Sequence, residues 1–349
     1  MTDFTRQLLK WYKRSGRHDL PWQQDITPYR VWVSEIMLQQ TQVNTVIPYF
    51  ERFIRHYPDV ASLAGADMDE VLHLWSGLGY YSRARNLYKA AQIIKREFSG
   101  VFPDRLEQLI KLPGIGRSTA GAILALSMNQ PQAILDGNVK RVLCRYYAVR
   151  EWPGSTATQR HLWQLAEQHV SRTHPADYTQ AIMDLGATLC TRSKPDCGTC
   201  PLQAGCLARR EGLQNDLPSR KPANPVPIKQ TTFIMIQNET GEILLQKRPP
   251  AGIWGGLWGF PECPVDTDIP AWLEQNFGFK VDSVRYEPGL RHTFSHFRLD
   301  ITPVSMKLVS HPERVEDEPD LYWFRPTGDN RPIGMAAPTR TLVSRHFQT

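Results

Sequence analysis

Two glycines and an aspartate mark the part of the chain where residue type and spacing point most directly to chemistry. Gly114 and Gly116 flank one apolar residue within the segment 112–122, between two predicted helices. Glycines there allow a tight turn whose bare backbone N–H groups, with the dipole of the following helix, favour an anion. Asp136, within 134–139, follows an apolar pair and precedes a glycine and a new helix. A phosphate-binding hairpin followed by a carboxylate indicates chemistry on a nucleic-acid backbone or base.

Four of the six cysteines lie in one short segment, with the spacing Cys190-x6-Cys197-x2-Cys200-x5-Cys206. Thiolates this close in sequence usually bind a metal ion or an iron–sulfur cluster. A structural zinc ion or two disulfides would also account for them. Disulfides are disfavoured because no export signal is expected. Zinc sites favour two C-x2-C pairs, of which this segment has one, so the spacing favours a cluster and leaves zinc open.

Glu35 is a candidate general acid on a helix predicted over 27–40, with a threonine N-cap and a proline at the first helical position. It shares a face of that helix with Trp32, Ile36 and Gln39. Apolar neighbours would raise the pKa of its carboxyl group and keep the group protonated. A surface glutamate on an amphipathic helix is the plainer interpretation, and the spacing alone favours it.

Size and composition limit the class of protein. The 349 residues allow two domains, and the 41% hydrophobic and 22% charged content is that of a globular protein. The 41 basic and 35 acidic residues give a net charge of +6, which only weakly favours a polyanionic partner. Residues 1–14 are charged throughout, so we expect no signal peptide. No apolar run would span a bilayer, and we expect a cytoplasmic protein that does not bind membranes.

The first 210 residues have helical periodicity interrupted by proline and glycine, which predicts an all-α region with short connections. Besides 27–40, the predicted helices are 43–56, 67–75, 82–98, 105–111, 117–127, 139–149, 158–170 and 176–189. Residues 217–229 contain four prolines and predict an extended linker. Beyond the linker, strands are predicted over 231–236, 242–247 and 294–308 and a helix over 271–277, which indicates an α+β domain.

The hairpin, the downstream Asp136 and the cysteine quartet, in this order, resemble the helix-hairpin-helix DNA glycosylase superfamily whose members carry an iron–sulfur cluster loop. Gly-x-Gly alone is a weak signal, whereas the three features together are specific. The resemblance implies a multidomain fold. An all-α helix-hairpin-helix glycosylase domain over 1–216 would carry a [4Fe–4S] cluster loop at 190–206. The linker at 217–229 would lead to an α+β, Nudix-like 8-oxoguanine recognition domain over 230–349.

Within that superfamily the chain resembles the MutY family of adenine glycosylases. The matching segments are Leu-Pro-Trp at 20–22, Ser-Glu-Ile-Met-Leu-Gln-Gln-Thr-Gln-Val at 34–43 and Gly-Leu-Gly-Tyr-Tyr-Ser-Arg at 77–83; beyond the linker they are 254–261 and His-Thr-Phe-Ser-His at 292–296. This resemblance implies base excision repair of double-stranded DNA, in which adenine opposite 8-oxoguanine or guanine is removed. It also implies a monomer, nucleoid-associated if the source is bacterial.

The resemblance implies roles for individual residues. Glu35 and Asp136 are expected to be catalytic, with Asn138 orienting Asp136 or donating a hydrogen bond at the site. Trp22 and Gln180 are expected to line the adenine pocket, and the four cysteines to hold the cluster. Contacts with DNA, including the wedge beside the opposing base and the reading of 8-oxoguanine, are expected from Gln40, Tyr80, Gly114, Gly116, Ser118, Phe294, Ser295 and His296.

Plainer interpretations exist for several of these residues. Asp136 before a glycine is a common helix N-cap, a role compatible with catalysis. Tyr80 is also explained by core packing beside Trp75. Phe294, Ser295 and His296 are also explained as part of a strand with an exposed serine and histidine.

Two departures from relatives narrow the expected activity. Ser118 stands where bifunctional relatives carry a Schiff-base lysine, and Arg117 cannot replace that lysine because a guanidinium stays protonated. We therefore expect a monofunctional glycosylase. Around 262–277 only Glu262 and Glu274 remain of a Nudix metal-binding pattern, which disfavours a nucleotide pyrophosphohydrolase. An endonuclease III-like glycosylase for oxidised pyrimidines and a non-catalytic DNA-binding protein are the competing hypotheses.

Overall fold

A computed structural model describes residues 1–221, 225–310, 319–328 and 330–347. The chain divides into two compact units, one formed by Met1–Gly65 with Asn86–Ala223 and the other by Ala66–Arg85 with Asn224–Thr349. Among the described residues, no helix combines the length and the apolar character needed to cross a membrane.

The first unit is helical, as predicted. In chain order the helices up to residue 210 are α1 (Asp3–Ser15), α2 (Pro28–Leu38), α3 (Val43–His56), α4 (Val60–Ala64), α5 (Met68–Trp75), α6 (Ser82–Glu97), α7 (Leu106–Leu109), α8 (Arg117–Met128), α9 (Gly137–Tyr146), α10 (Thr156–His169), α11 (Pro175–Asp184) and α12 (Leu207–Arg210). Helix α5 and the start of α6 belong to the second unit. A 3₁₀ turn covers Pro21–Gln23, and a π-helical turn, Leu185–Leu189, continues α11.

Helix α8 packs against both α2 and α11. Its buried residues are small or aliphatic, Ala120, Gly121, Ala122, Ile123, Leu124 and Ala125, so both helices can lie close to it. Helix α2 begins as predicted, because Thr27 accepts a hydrogen bond from the backbone of Arg30 and Pro28 is the first helical residue. The packing brings together three elements that carry candidate residues: α2, α11 and the segment between α8 and α9.

Several predicted helix boundaries need correction. Helices α1 and α4 were not predicted, although Phe4, Leu8, Leu9 and Tyr12 form a buried stripe on α1. The charged residues on the exposed face of α1 conceal that stripe when only composition is considered. The helix predicted over 105–111 is only the single turn α7, and the one predicted over 176–189 changes to π-helical geometry after Asp184.

The second unit contains a mixed β-sheet. Its strands are β1 (Ile228–Gln237), β2 (Ile243–Lys247), β3 (Trp258–Gly259), β4 (Glu262–Cys263), β5 (Lys280–Val281), β6 (Arg285–Tyr286), β7 (Leu290–Thr293), β8 (Arg298–Ser310) and β9 (Leu321–Phe324), with helices α13 (Ile269–Phe277) and α14 (Ala337–His346). The main path through the sheet is β3-β2-β1-β8-β5. Strands β1 and β8 are parallel, and β7 and β8 form an antiparallel hairpin.

The sheet is buried on both faces. Phe233 and Met235 of β1 pack in one apolar cluster with Leu342 of α14. Ile234 and Ile236 of β1 pack in a second cluster with Leu273 of α13. Two-sided burial explains why β1 contains a continuous apolar run instead of an alternating pattern.

Helix α5 is attached to the sheet of the second unit by polar contacts. Asp69 on α5 forms an ion pair with Lys247 at 2.9 Å and accepts a hydrogen bond from the indole of Trp258 at 3.2 Å. A ring nitrogen of His73 lies 3.1 Å from the carbonyl oxygen of Ile333. These contacts explain why residues 66–85 group with the C-terminal part of the chain.

The prediction of one strand over 294–308 is wrong at its beginning. Residues 294–297 form the turn of the β7–β8 hairpin, closed by a 2.9 Å hydrogen bond from the backbone N–H of Phe294 to the carbonyl of Phe297. The aromatic residues that suggested a strand pack on one another in the turn. Ile228 and Lys229, the last residues of the predicted linker, pair with β8. Residues 222–224 of the linker lie outside the described residues.

Candidate active site

Glu35 lies on α2 among the buried side chains of Trp32, Ser34 and Ile36. Burial raises the pKa of its carboxyl group to about 8, and the negative charge of Asp136 contributes in the same direction. Desolvation disfavours the charged form, so the group keeps its proton at neutral pH. The elevated pKa expected from the sequence is present.

Asp136 is the N-cap of α9. Its Oδ1 accepts a 2.8 Å hydrogen bond from the backbone N–H of Val139. Burial raises the pKa of Asp136, while the backbone N–H groups of Val139 and Asn138 and the charge of Arg141 oppose that shift. Asp136 therefore does cap α9. The cap holds its carboxylate at the start of a helix whose dipole favours an anion.

Arg141 connects the Asp136 segment to the cysteine-bearing loop. Its Nη2 donates to Asn138 Oδ1 at 2.8 Å and to the carbonyl of Gly186 at 2.6 Å, and its Nε donates to the carbonyl of Cys190 at 2.7 Å. A side chain on Gly186 would lie 2.6 Å from Asn138 Cβ, so only glycine permits the π-helical turn to approach this closely. The side-chain oxygen of Asn138 is thus held by Arg141.

The hairpin 112–122 has the geometry predicted for it. Gly114 has a φ of +78°, and a Cβ there would lie 2.9 Å from Asn86 Cβ, while Gly116 is the N-cap of α8. The Ser118 hydroxyl accepts a 3.0 Å hydrogen bond from the backbone N–H of Leu135, the residue before Asp136. Ser118 therefore joins the hairpin helix to the segment that carries the carboxylate.

A cavity beside α2 and α11 contains both residues predicted for the adenine pocket. Trp22 and Gln180 line it together with Ser34, the neighbour of Glu35 in sequence. Trp22 is held edge-on against Phe50, with ring centroids 5.5 Å apart. The amide nitrogen of Gln180 donates to Asp184 at 2.9 Å.

The four predicted ligand cysteines line one cavity. All are free thiols, and none of the described residues forms a group of three or more His, Cys, Asp or Glu side chains able to hold a single metal ion. Burial raises the pKa of Cys200 to about 11, and burial also raises the pKa of Cys197 and of Cys206. An all-sulfur set around a cavity suits a multinuclear iron–sulfur group.

Arg145 is a buried neighbour of this cavity that sequence analysis missed. Its Nη1 donates to Cys190 Sγ at 3.3 Å and to the carbonyl of Thr191 at 2.7 Å, and its Nε donates to the carbonyl of Leu217 at 2.9 Å. Arg141, also missed, lies four residues earlier on the same face of α9. Arg141 and Arg145 follow Asn138 at the i+3 and i+7 positions, which places all three on one helix face. That helical spacing is the sequence signal that could have identified both arginines.

In the second unit, Ser295 and His296 lie exposed at the tip of the β7–β8 hairpin. Phe294 does not share that exposure, because it stacks on Phe297 with centroids 4.4 Å apart and lies 5.2 Å from the ring of Trp254. Trp254 has a φ of +53°, a strained conformation for a bulky residue. The hairpin tip thus presents two polar side chains, and the packed aromatic rings of Phe294, Phe297 and Trp254 support it.

Gln40 and Tyr80 share an unusual backbone conformation, with φ values of +57° and +49°. Tyr80 is 48% exposed, and the guanidinium of Arg83 lies 5.4 Å from its ring, so core packing beside Trp75 does not explain it. Positive φ at non-glycine residues is costly and concentrates at functional sites. Each residue is displayed to solvent within its own unit.

Two family models match the chain, "HhH-GPD superfamily base excision DNA repair protein" over residues 33–168 and "NUDIX domain" over residues 231–345. An adenine DNA glycosylase from Buchnera aphidicola subsp. Acyrthosiphon pisum is 40% identical over 340 residues, covering 97% of this chain and 96% of the relative. The chain belongs to the adenine DNA glycosylase family. The resemblance found in the sequence is confirmed.

More distant relatives agree with the assignment. The human adenine DNA glycosylase is 34% identical, covering 93% of this chain and 70% of its own. The structure of a thermostable thymine-DNA glycosylase matches with a TM-score of 0.55 at 25% identity, over 60% of this chain and 95% of that one. A non-covalent endonuclease III–DNA complex matches with a TM-score of 0.52 at 19% identity, over the same shares, and supports the fold alone. The multidomain fold class with a helix-hairpin-helix domain and a Nudix-like domain is thereby confirmed.

Proposed function

We propose that this member of the adenine DNA glycosylase family hydrolyses the N-glycosidic bond of adenine paired with 8-oxoguanine or guanine in double-stranded DNA. It would act as a monomer in the cytoplasm, on the nucleoid if the source is bacterial. The observation that carries the proposal is the pair of carboxyl groups: burial raises the pKa of Glu35 to about 8, whereas at Asp136 backbone N–H groups and the charge of Arg141 oppose the rise in pKa that burial causes. Such a pair supplies one proton donor and one anion.

Glu35 is the general acid. It protonates a ring nitrogen of adenine, so that the bond between C1′ and the base breaks with its electron pair on a neutral leaving group. The resulting Glu35 carboxylate then removes a proton from the water that attacks C1′. The raised pKa serves both steps, because a stronger acid would already have lost its proton at neutral pH.

Asp136 stabilises the positive charge that develops on the sugar ring. An anion held by backbone donors needs little rearrangement as the charge appears, which is the condition for large electrostatic stabilisation. Asn138, fixed by Arg141 on its oxygen side, leaves its amide N–H groups to donate at the site.

The DNA contacts follow from what each surface offers. The backbone N–H groups of the hairpin at Gly114 and Gly116 bind phosphate at the start of α8. Adenine leaves the helix and enters the cavity lined by Trp22 and Gln180. The exposed Gln40 and Tyr80 fill the vacated space and wedge beside the opposing base.

Ser118 makes the enzyme monofunctional. Schiff-base chemistry needs an amine, and the Ser118 hydroxyl is bonded to the backbone of Leu135.

The exposed hairpin tip reads the opposing base. Oxidation of guanine adds a hydrogen at N7, and a short hydroxyl side chain such as that of Ser295 can accept a hydrogen bond from it. Phe294 supports the turn by packing on Phe297 and Trp254. The ring of His296 lies next to the hydroxyl of Ser295.

Ser295→Ala is expected to lower the preference for adenine opposite 8-oxoguanine over adenine opposite guanine by about 5- to 10-fold, the effect of one hydrogen bond. The measurement is the ratio of single-turnover rates of adenine release, at subsaturating enzyme, on the two duplexes. Ser283→Ala, an exposed serine elsewhere in the second unit, is the matched control and should keep the ratio of the wild type. An unchanged ratio in Ser295→Ala would remove that residue from recognition.

The cysteine cavity is proposed to hold a [4Fe–4S] cluster through Cys190, Cys197, Cys200 and Cys206. Four free thiols that line one cavity support this assignment. When bound, the cluster would supply four metal–thiolate bonds that cross-link the loop. Arg145 bonds to Cys190 Sγ and to the loop backbone, and so orients one of the ligands.

Cys200→Ser is expected to abolish the cluster and destabilise the loop. The purified wild type should contain about four iron and four sulfide per chain, and the variant well below one, with a lower melting temperature. Cys263→Ser changes a buried cysteine of the second unit and should retain full iron content. One zinc ion per wild-type chain and no sulfide would contradict the cluster.

The proposed function is tested by single-turnover base release from duplexes with adenine opposite 8-oxoguanine, guanine or thymine, and from a thymine glycol duplex. We expect adenine release from the two mispairs only. Release of thymine glycol would instead indicate the endonuclease III-like activity. Tight binding without release of any base would leave a non-catalytic DNA-binding protein.

A further inference from the structure

Asp184, at the end of α11, is a completely buried carboxylate that the mechanism above does not use. Its Oδ2 accepts a 2.8 Å hydrogen bond from the backbone N–H of Arg17, and its Oδ1 accepts from Arg17 Nε at 2.9 Å and Nη2 at 2.6 Å. Oδ1 also accepts from Gln180 Nε2 at 2.9 Å. A buried anion requires such donors, and here one of them belongs to a side chain that lines the cavity.

The bond from Gln180 to Asp184 determines which end of the Gln180 amide faces the cavity. An ionised carboxylate only accepts hydrogen bonds, so the NH₂ group of Gln180 must point toward it and the carbonyl oxygen must point away. Among the described residues, none donates a hydrogen bond to the Oε1 atom of Gln180. This oxygen is also not one of the fully buried, unpaired side-chain atoms of the described residues. Gln180 therefore presents a free acceptor to the cavity that it shares with Trp22 and Ser34.

We propose that Asp184 is a positioning residue that makes this cavity select a purine with an amino group at C6. The inference rests on the proposed function and adds to it the basis for base selection. The 6-amino group of adenine donates to the Gln180 oxygen, whereas the 6-oxo group of guanine or hypoxanthine would place one acceptor against another. Buried polar groups left unpaired in this way reject the wrong ligand.

The charge of Asp184 is what holds the orientation. An uncharged amide in its place could accept with its oxygen or donate with its nitrogen, so Gln180 could turn over and present NH₂ to the cavity. Arg17 holds the carboxylate in place through two guanidinium bonds and a backbone bond. Arg17 and Asp184 thus act on the ligand only through Gln180.

The test compares release of adenine with release of unsubstituted purine, which lacks the 6-amino group, each opposite 8-oxoguanine under single turnover. Asp184→Asn is expected to lower the adenine-to-purine rate ratio about tenfold relative to the wild type, and Gln180→Met, which removes the acceptor and leaves Arg17 with Asp184, should lower it equally. Leu162→Ala, in the core of the same unit, lowers stability without changing the cavity and should keep the wild-type ratio.

Several outcomes would overturn the inference. A wild-type ratio in Gln180→Met, or in a folded Asp184→Asn, would show that this acceptor does not select the base. The wild type gives a test that needs no folded variant, since it should release hypoxanthine at least tenfold more slowly than adenine, and equal rates would reject the amide orientation. Failure of the wild type to release adenine from any mispair would instead contradict the proposed function.

Discussion

Asp136→Asn is expected to lower the single-turnover rate of adenine release by about 10³-fold or more, with binding of the mispaired duplex largely retained. The change removes the negative charge that stabilises the cationic sugar, and electrostatic contributions of this kind are among the largest in enzymes. Asparagine is as good an N-cap as aspartate, so the bond to Val139 and the start of α9 should survive. The loss should therefore fall on the chemical step.

The control for this variant is a matched substitution at another helix N-cap. Asp59 caps α4 by accepting a 2.8 Å hydrogen bond from the backbone of Ser62. Asp59→Asn should leave the rate of base release unchanged. If Asp136→Asn released adenine at even one tenth of the wild-type rate, the proposed charge stabilisation would be ruled out.

Glu35→Gln is expected to lower the rate of adenine release by about 10²- to 10⁴-fold, the usual contribution of a general acid and base. Glutamine keeps the size and the hydrogen-bonding oxygen but cannot transfer a proton. The pKa of about 8 adds a second readout. The wild-type rate should be steady through neutral pH and fall about tenfold per unit above pH 8, whereas the residual activity of the variant should lack that fall.

The same raised pKa predicts how stability depends on pH. The folded protein holds the Glu35 proton more tightly than the unfolded chain, so between the ordinary glutamate pKa of 4.5 and about 8 the folded state loses stability as pH rises. Glu35→Gln removes that loss, and its melting temperature should exceed that of the wild type by more at pH 8.5 than at pH 5. Glu107→Gln, at an exposed glutamate of α7, should show no such trend. A constant difference across this range would argue against a buried, protonated Glu35.

The sequence by itself determined the local features of this protein and its family. The caps and turns are local because they depend on residues a few positions apart: Thr27 and Pro28 begin α2, and Gly114 forms the hairpin. The order of hairpin, aspartate and cysteine quartet suggested the superfamily, and further segments such as 34–43 and 77–83 suggested the family that the relatives confirm. The predicted strand failed at its beginning because the packing of Phe294 on Trp254, which is distant in sequence, is a tertiary effect.

Only the tertiary structure decided the environments on which the chemistry depends. The spacing on α2 alone favoured a surface glutamate. Burial together with the charge of Asp136, which lies 101 positions away in sequence, is what raises the pKa of Glu35. The bonds from Arg17 to Asp184 likewise join residues 167 positions apart. Desolvation and hydrogen bonding depend on what packs around a group in space, and a pattern of nearby residues carries no information about groups that the chain brings together from a distance.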